Sequence, residues 1–262
     1  MDIKQDVRIK LETDDPAVVA YLENLALSLG LEPPSASIGD CRFYLRLHNN
    51  RLELHVSPML AHRQAPLVID FLSGPTYYRY LHDRRISQPL AKAVGIKRGC
   101  RPTIADATAG FGEDGFVLAA LGCRVTMIER SPLICALLQN AITRCSTNPQ
   151  LASIFEHNVT LLIGDSINAL DEADQQFDTI YLDPMYPAMQ KSALNKQKMR
   201  LLRELVGDDP DDDELLQVAL KRAARRVAVK RPGQAPFLAA LVPSYSLRSK
   251  SSRFDIYLTN HL

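Results

Sequence analysis

The sequence predicts an α/β protein built on a mostly parallel sheet. Three observations carry that expectation. From residue 103 onward, short apolar runs alternate with stretches of helical period, the pattern of strands joined by crossover helices. The run at 177–182 reads as a buried parallel strand. Finally, two strand-like runs separated by polar residues close the chain and predict an antiparallel hairpin at one edge.

The elements follow in order. Residues 7–11 and 42–57 read as strands, the latter a hairpin around His48-Asn49-Asn50. A helix is expected over 16–29, stopped at Gly30, and a further strand over 67–72, closed by Gly74-Pro75. Residues 1–75 are therefore expected to form a small α+β domain whose sequence names no chemistry, and 76–262 the main domain. A helix is expected over 88–94, ending at Gly95. Strands at 103–107, 124–129, 159–163, 177–182 and 226–230 then alternate with helices at 114–121, 132–143, 191–205 and 213–224. Pro132 suits a first helical turn with Ser131 as its cap. The edge hairpin is expected from 244–247 and 253–258.

Composition narrows the function. With 262 residues and 46% hydrophobic content, the chain can bury a sizeable core. Cys41, Cys100, Cys123, Cys135 and Cys145 form no C-x-x-C pair or metal spacing, and they read as reduced thiols of a cytoplasmic protein. The six histidines are scattered, so no metal is expected. The first residues begin no signal peptide, and no run approaches the ~18 apolar residues of a membrane span. A net charge of +1 announces no nucleic-acid partner in bulk. Its distribution is uneven. An acidic block at 208–214, expected as a solvent loop, separates Lys191, Lys196, Lys198, Arg200 and Arg203 from Lys221, Arg222, Arg225, Arg226, Lys230 and Arg231. A second basic region runs from Arg79 to Arg101. Such patches serve either as phosphate contacts or as solvated faces.

Acids cluster at the expected strand ends. Asp106-Ala107-Thr108-Ala109-Gly110-Phe111-Gly112-Glu113-Asp114 joins a strand to a helix, and its small residues let backbone approach a ligand. It opens on an acid and lacks the third glycine of a dinucleotide fingerprint, which suits a cofactor with a cationic amino-acid portion. Glu129 closes the next strand, where a carboxylate can hold ribose hydroxyls. Asp165-Ser166 follows the third and can hold an adenine edge. Together these acids point to S-adenosylmethionine. Asp183-Pro184-Met185-Tyr186-Pro187 follows the fourth strand. Asp183 and the Pro184 carbonyl are acceptors, and Tyr186 is a flat plate, a set that can hold a planar amine during group transfer. Asp-Pro also commonly opens a turn.

Several of these segments carry a family resemblance. They are Lys92-Ala93-Val94-Gly95-Ile96-Lys97, Asp106-Ala107-Thr108-Ala109-Gly110, Gly122-Cys123-Arg124-Val125 with Ile128-Glu129-Arg130, Leu182-Asp183-Pro184-Met185-Tyr186-Pro187, Lys191-Ser192-Ala193-Leu194, Val229-Lys230-Arg231-Pro232 and Arg253-Phe254-Asp255-Ile256-Tyr257. The chain resembles the class I methyltransferases and, more narrowly, the ribosomal RNA small subunit methyltransferase J family, guanine-N2 methyltransferases of 16S ribosomal RNA. The resemblance spans roughly residues 90–257. It implies a Rossmann-like methyltransferase sheet, S-adenosyl-L-methionine as cofactor, and 16S ribosomal RNA or the small subunit as partner, with guanine 1516 as target. Carried over by position, it implies that Glu113, Asp114, Glu129, Arg130, Asp165, Ser166 and Asp183 line the cofactor site. Asp106 and Gly110 join them from the residue reading. Asp183, Pro184 and Tyr186 are the expected catalytic residues. The chain departs from the family at Glu113, Asp165 and Tyr186, where members often carry Arg, Ser and Phe, and at 80–85, where they carry a glycine-rich basic segment. The Asp-Pro-x-aromatic motif also serves adenine-N6 and glutamine-N5 methylation, since all three targets present a planar NH2. A non-catalytic assembly factor and a nicotinamide-dependent oxidoreductase are further alternatives.

Overall fold

The computed structural model describes residues 6–58, 65–83, 85–184, 211–249 and 252–259. They group into two compact units. One holds the residues up to Asp70 with Pro132–Arg144. The other holds Phe71–Ser131 and the described residues from Cys145 on.

The first unit contains β1 (Val7–Lys10), α1 (Pro16–Leu29), β2 (Phe43–His48) and β3 (Arg51–Val56). The sheet order is β1-β2-β3, with β1 parallel and β3 antiparallel to β2. Alternation sorts its faces: Val7, Ile9, Phe43, Leu45, Leu52 and Leu54 are buried. Asn49 and Asn50 both take positive φ (50° and 60°), as a two-residue hairpin turn matched to strand twist requires. Asp15 caps α1 through the Ala17 N–H, and the Gly30 N–H closes it on the carbonyls of Ala26 and Leu27. The strand expected over 67–72 does not form. Leu67 makes a single bridge to Leu54, and the Ile69 carbonyl accepts from the Arg144 guanidinium at 2.7 Å rather than from a neighbouring strand.

The second unit opens with α2 (Gly74–His82) and α3 (Pro89–Ala93). It continues through β4 (Ile104–Asp106), α4 (Glu113–Ala120) and β5 (Val125–Glu129). After α5 (Pro132–Ser146), most of which groups with the first unit, come α6 (Ala152–Asn158), β6 (Val159–Ile163), α7 (Ser166–Asp171) and β7 (Phe177–Leu182). Then follow α8 (Asp212–Arg222), β8 (Ala223–Pro232), a 3-10 turn at Leu238–Ala240, β9 (Tyr245–Arg248) and β10 (Ser252–Leu258). The sheet order is β6-β5-β4-β7-β8-β10-β9. The first five strands run parallel, and β10 and β9 form the expected antiparallel edge. The fold class is therefore as expected.

Three short helices were not anticipated: α2, α6 and α7. None spans more than nine residues, too short for a periodicity to stand out. The acidic block is not simply a loop. Asp212, Asp213 and Glu214 make the first turn of α8, where carboxylates meet the positive end of the helix dipole. The helix expected over 191–205 lies outside the described residues.

The sheet core is built from Ala105, Ile128, Ile180, Leu182, Val227 and Val229, closed by Leu215, Leu216 and Ala219 of α8. Phe116 of α4 packs in a triangle of rings with Phe71 at 5.0 Å and Phe155 at 5.5 Å, which lie 5.7 Å from each other. These contacts fix the helix whose first turn carries Asp114.

Candidate active site

The chain winds outward through β4, β5 and β6, then crosses back to lay β7 on the other side of β4. That reversal opens a crevice at the carboxyl ends of β4 and β7, where open α/β sheets take ligands. Asp106 ends β4, Glu129 ends β5, Asp165 follows β6, Asp183 follows β7, and Lys230 lies near the end of β8. All belong to the second unit.

On the β4–β5 side, Gly110 (φ 51°) and Gly112 (φ 70°) adopt the left-handed backbone, which lets the turn fold over the strand ends. The Gly110 N–H donates to Glu129 Oε2 at 2.8 Å, and the Ser131 N–H donates to Glu129 Oε1 at 2.8 Å. These two bonds pin the Glu129 carboxylate at the end of β5, beside the glycine turn. Arg130 turns to Asp211, its Nη1 3.0 and 3.1 Å from the two carboxylate oxygens. Asp165 caps α7 by accepting the Asn168 N–H at 3.0 Å, and the Ser166 hydroxyl donates to the Ala107 carbonyl at 2.6 Å. Glu113 is exposed at the start of α4.

On the β7–β8 side, the register pairs Leu182 with Val229, which sets the next residues, Asp183 and Lys230, level with each other. Lys230 Nζ lies 2.7 Å from Asp183 Oδ2 and 2.7 Å from Asp114 Oδ2. The Tyr181 hydroxyl donates to the same Asp114 oxygen at 2.7 Å. Arg79 Nη1 stands 4.0 Å from Asp114 Oδ1. The Asp183 N–H donates to the Thr108 hydroxyl at 2.6 Å, tying the β7 end to the glycine turn. Pro184 is buried behind it. Tyr186 lies outside the described residues.

The electrostatics follow. Asp106 is 2% exposed, and burial, aided by the charges of Asp114 and Asp183, pushes its carboxyl up to about 8. Burial pushes Asp114 the same way, but the Lys230 charge and the Lys230 and Tyr181 hydrogen bonds outweigh it and hold this carboxyl below its ordinary value. Burial disfavours the Lys230 ammonium, but Asp183 and Asp114 overcome this and raise it well above the ordinary value. Burial, then the same carboxylates, likewise raises the Tyr181 phenol, so it stays a donor. Among the described residues, three acids thus gather around Lys230, which bonds Asp183 and Asp114, while Arg79 stands 4.0 Å from Asp114. That imbalance fits a ligand bringing positive charge, as the sulfonium and ammonium of S-adenosylmethionine do.

Sequence reasoning did not single out Thr108 or Tyr181, and it placed Lys230 among candidate phosphate contacts. The structure corrects that for the 221–231 run. Lys221, Arg222, Arg225 and Arg226 sit at the amino end of β8, opposite the crevice. Arg222 bonds the Ala173 carbonyl, Arg225 pairs with Asp178 at 2.9 Å, and Arg226 meets the Tyr245 hydroxyl at 3.3 Å. Lys97, Arg98 and Arg101 likewise precede β4 and lie at the far end. The 191–203 run is outside the described residues. Among the described residues no group of three or more His, Cys, Asp or Glu could hold a metal ion, and no helix is long and apolar enough to cross a membrane.

The fold and the crevice acids define a class: methyltransferases that depend on S-adenosylmethionine. A family model described as "Putative SAM-dependent methyltransferase" matches residues 34–259. A ribosomal RNA small subunit methyltransferase J from Thioalkalivibrio sulfidiphilus is 44% identical over 256 residues, covering 97% of this chain and 99% of the relative. Another, from Desulfotalea psychrophila, is 51% identical over 196 residues, 75% of each chain. The crystal structure of a SAM-dependent methyltransferase from Neisseria gonorrhoeae superposes with a TM-score of 0.74 at 31% identity, covering 98% of this chain and 97% of that one. The chain belongs to the ribosomal RNA small subunit methyltransferase J family, and its cofactor is S-adenosyl-L-methionine.

Proposed function

We propose that this chain methylates small-subunit ribosomal RNA in the cytoplasm, at the N2 amine of guanine 1516 of 16S ribosomal RNA. The names of its relatives support the ribosomal substrate. The guanine amine rests on the family resemblance and on the chemistry of the β7 end. The observation that carries the reading is the double anchoring of Asp183. Its N–H is fixed on the Thr108 hydroxyl and one carboxylate oxygen on Lys230. A rigid acceptor therefore stands at the strand end, beside the cofactor-side acid Asp114.

Asp106, Gly110, Glu113, Asp114, Glu129, Arg130, Asp165, Ser166 and Asp183 are the residues proposed to surround the cofactor. When bound, S-adenosylmethionine supplies a methyl group already activated on sulfur. The protein's task is then orientation, which can supply much of the rate. The target base is turned out of its RNA stack. Its amine donates to Asp183 and to the Pro184 carbonyl while Tyr186 stacks on the ring, so the nitrogen lone pair faces the methyl carbon. The nitrogen sheds its extra proton after transfer, and no strong base is needed.

The test is methyl transfer from labelled S-adenosylmethionine to 16S ribosomal RNA, free and in 30S subunits, from cells lacking this gene, with nucleoside analysis. N2-methylguanosine formed by the wild type and lost in Asp183→Ala is the expected result, with cofactor affinity largely kept. Methylation of another nucleotide, or near wild-type rates for Asp183→Ala, refutes the reading.

A further inference from the structure

We infer that Lys230 is a positioning residue for methyl transfer, one that holds the Asp183 carboxylate charged and in a single orientation through a bridge shared with Asp114. The inference rests on Asp183 being the amine acceptor. Asp183 is 39% exposed at its side chain, and an aspartate that open could turn away from the crevice. Lys230 prevents this because it is itself fixed. It projects from a parallel strand between the buried Val229 and Arg231, and its ammonium is held at 2.7 Å by both carboxylates.

The bridge also sets the charge state. Asp183 shares its surroundings with Asp106 from β4, Asp114 from α4, Tyr181 from β7 and Lys230 from β8, with Arg79 of α2 4.0 Å from Asp114. Without the ammonium, Asp183 and Asp114 lose the cation they share, and a carboxylate deprived of a nearby opposite charge takes up a proton more readily. A carboxyl that gains this proton is a weaker acceptor. The structure thus assigns Lys230 a role distinct from stability or phosphate binding: it keeps the amine acceptor ionised at the pH of the cell.

Two measurements on Lys230→Met and Lys230→Arg test this, with Asp183→Asn as control. In the first, carboxyl titrations of 13C-aspartate-labelled protein are followed by NMR without RNA. Lys230→Met should show one further carboxyl protonated near neutral pH, and Lys230→Asn would be no substitute because its shorter amide can still donate. The extra proton should be missing in the Asp183→Asn/Lys230→Met double variant. In the second, single-turnover methylation is measured from pH 6 to 9. Lys230→Met should be slower by about 100-fold at pH 7, as expected for a misplaced group. Its deficit should shrink as pH rises, with KM for RNA little changed. Lys230→Arg should recover most of the rate. An unchanged carboxyl titration in Lys230→Met overturns the inference whatever the activity, as does a deficit independent of pH. Inactive Asp183→Ala with active Lys230→Met sinks Lys230 alone, whereas active Asp183→Ala sinks the reading beneath it.

Discussion

Cofactor binding should expel a proton from Asp106. This carboxyl lies buried at the end of β4, and burial with the charges of Asp114 and Asp183 holds it at about 8, against an ordinary 3.8. At pH 7 it is therefore about nine-tenths protonated before the cofactor enters. A ligand carrying a sulfonium and an ammonium brings positive charge beside Asp106, and the ionised form then prevails. By linkage, affinity follows the ionised fraction, so it rises as pH rises toward 8. The gain is about ninefold between pH 6 and 7 and about fivefold more between 7 and 8 if the proton is lost completely. The cofactor's own amino group, ordinarily near 7.7–8.0, starts to lose its proton at the top of this range, so pH 6 to 7.5 is the window to read. The assay is titration calorimetry of S-adenosylmethionine in buffers of differing ionisation enthalpy. Wild type should release close to one proton at pH 6.5, and Asp106→Asn should release none and bind with a nearly flat pH dependence. No proton release by wild type, or equal release by Asp106→Asn, refutes the charge argument.

Three other outcomes are expected. Glu53 is 2% exposed; burial alone would raise its carboxyl, but hydrogen bonds from Arg51, Arg46 and His55 bring it down to about 2. Its contribution is therefore present above its ordinary 4.5 and lost as pH falls toward 2, and Glu53→Gln should cost about 2–3 kcal/mol at pH 7 in urea unfolding while flattening that acid limb. Asp255 is fully buried, with Arg253 Nε and Nη2 each 2.8 Å from one of its carboxylate oxygens, so Arg253→Met should destabilise by about 3–5 kcal/mol in the same assay, and Arg253→Met/Asp255→Leu by less. Replacing Lys191, Lys196, Lys198, Arg200 and Arg203 by Ala should flatten the salt slope of RNA binding by up to about 3.5, at roughly 0.7 per phosphate contact, whereas Lys221→Ala, at the far end of β8, should leave it unchanged.

Much of the fold was legible because its strands announce themselves locally. The runs at 159–163 and 177–182 became β6 and β7 without a shift of boundary, since Asn158 and Gly164 bracket one and Gln176 and Asp183 the other, although β6 at the sheet edge is largely exposed. Pro16 and Gly30 bracketed α1 for a similar reason: one suits the first turn and the other closes the last. The 67–72 run misled because apolar character alone does not supply a partner strand, and Arg144 claims the Ile69 carbonyl. The short helices α6 and α7 failed to register because helices of seven and six residues make too few turns to show a stripe.

The same distinction governs the site. That Asp106, Glu129, Asp165 and Asp183 lie at the carboxyl edge was legible in the sequence because each ends or closely follows its own strand. Lys230 was not legible in this way. Its role depends on the β7–β8 register, which sets it level with Asp183, and on α4, which carries Asp114 across to meet it. A one-residue slip of that register would turn Lys230 to the opposite face and leave its place by the acids to a neighbour. The basic run 221–231 shows the converse error. Six cations close together in sequence look like one patch, yet a strand of ten residues carries the last of them from one end of the sheet to the other. Charge density along the chain is therefore a poor guide to which charges share one end of an α/β sheet. The direction of each strand decides that, because it carries neighbouring residues from one end of the sheet to the other.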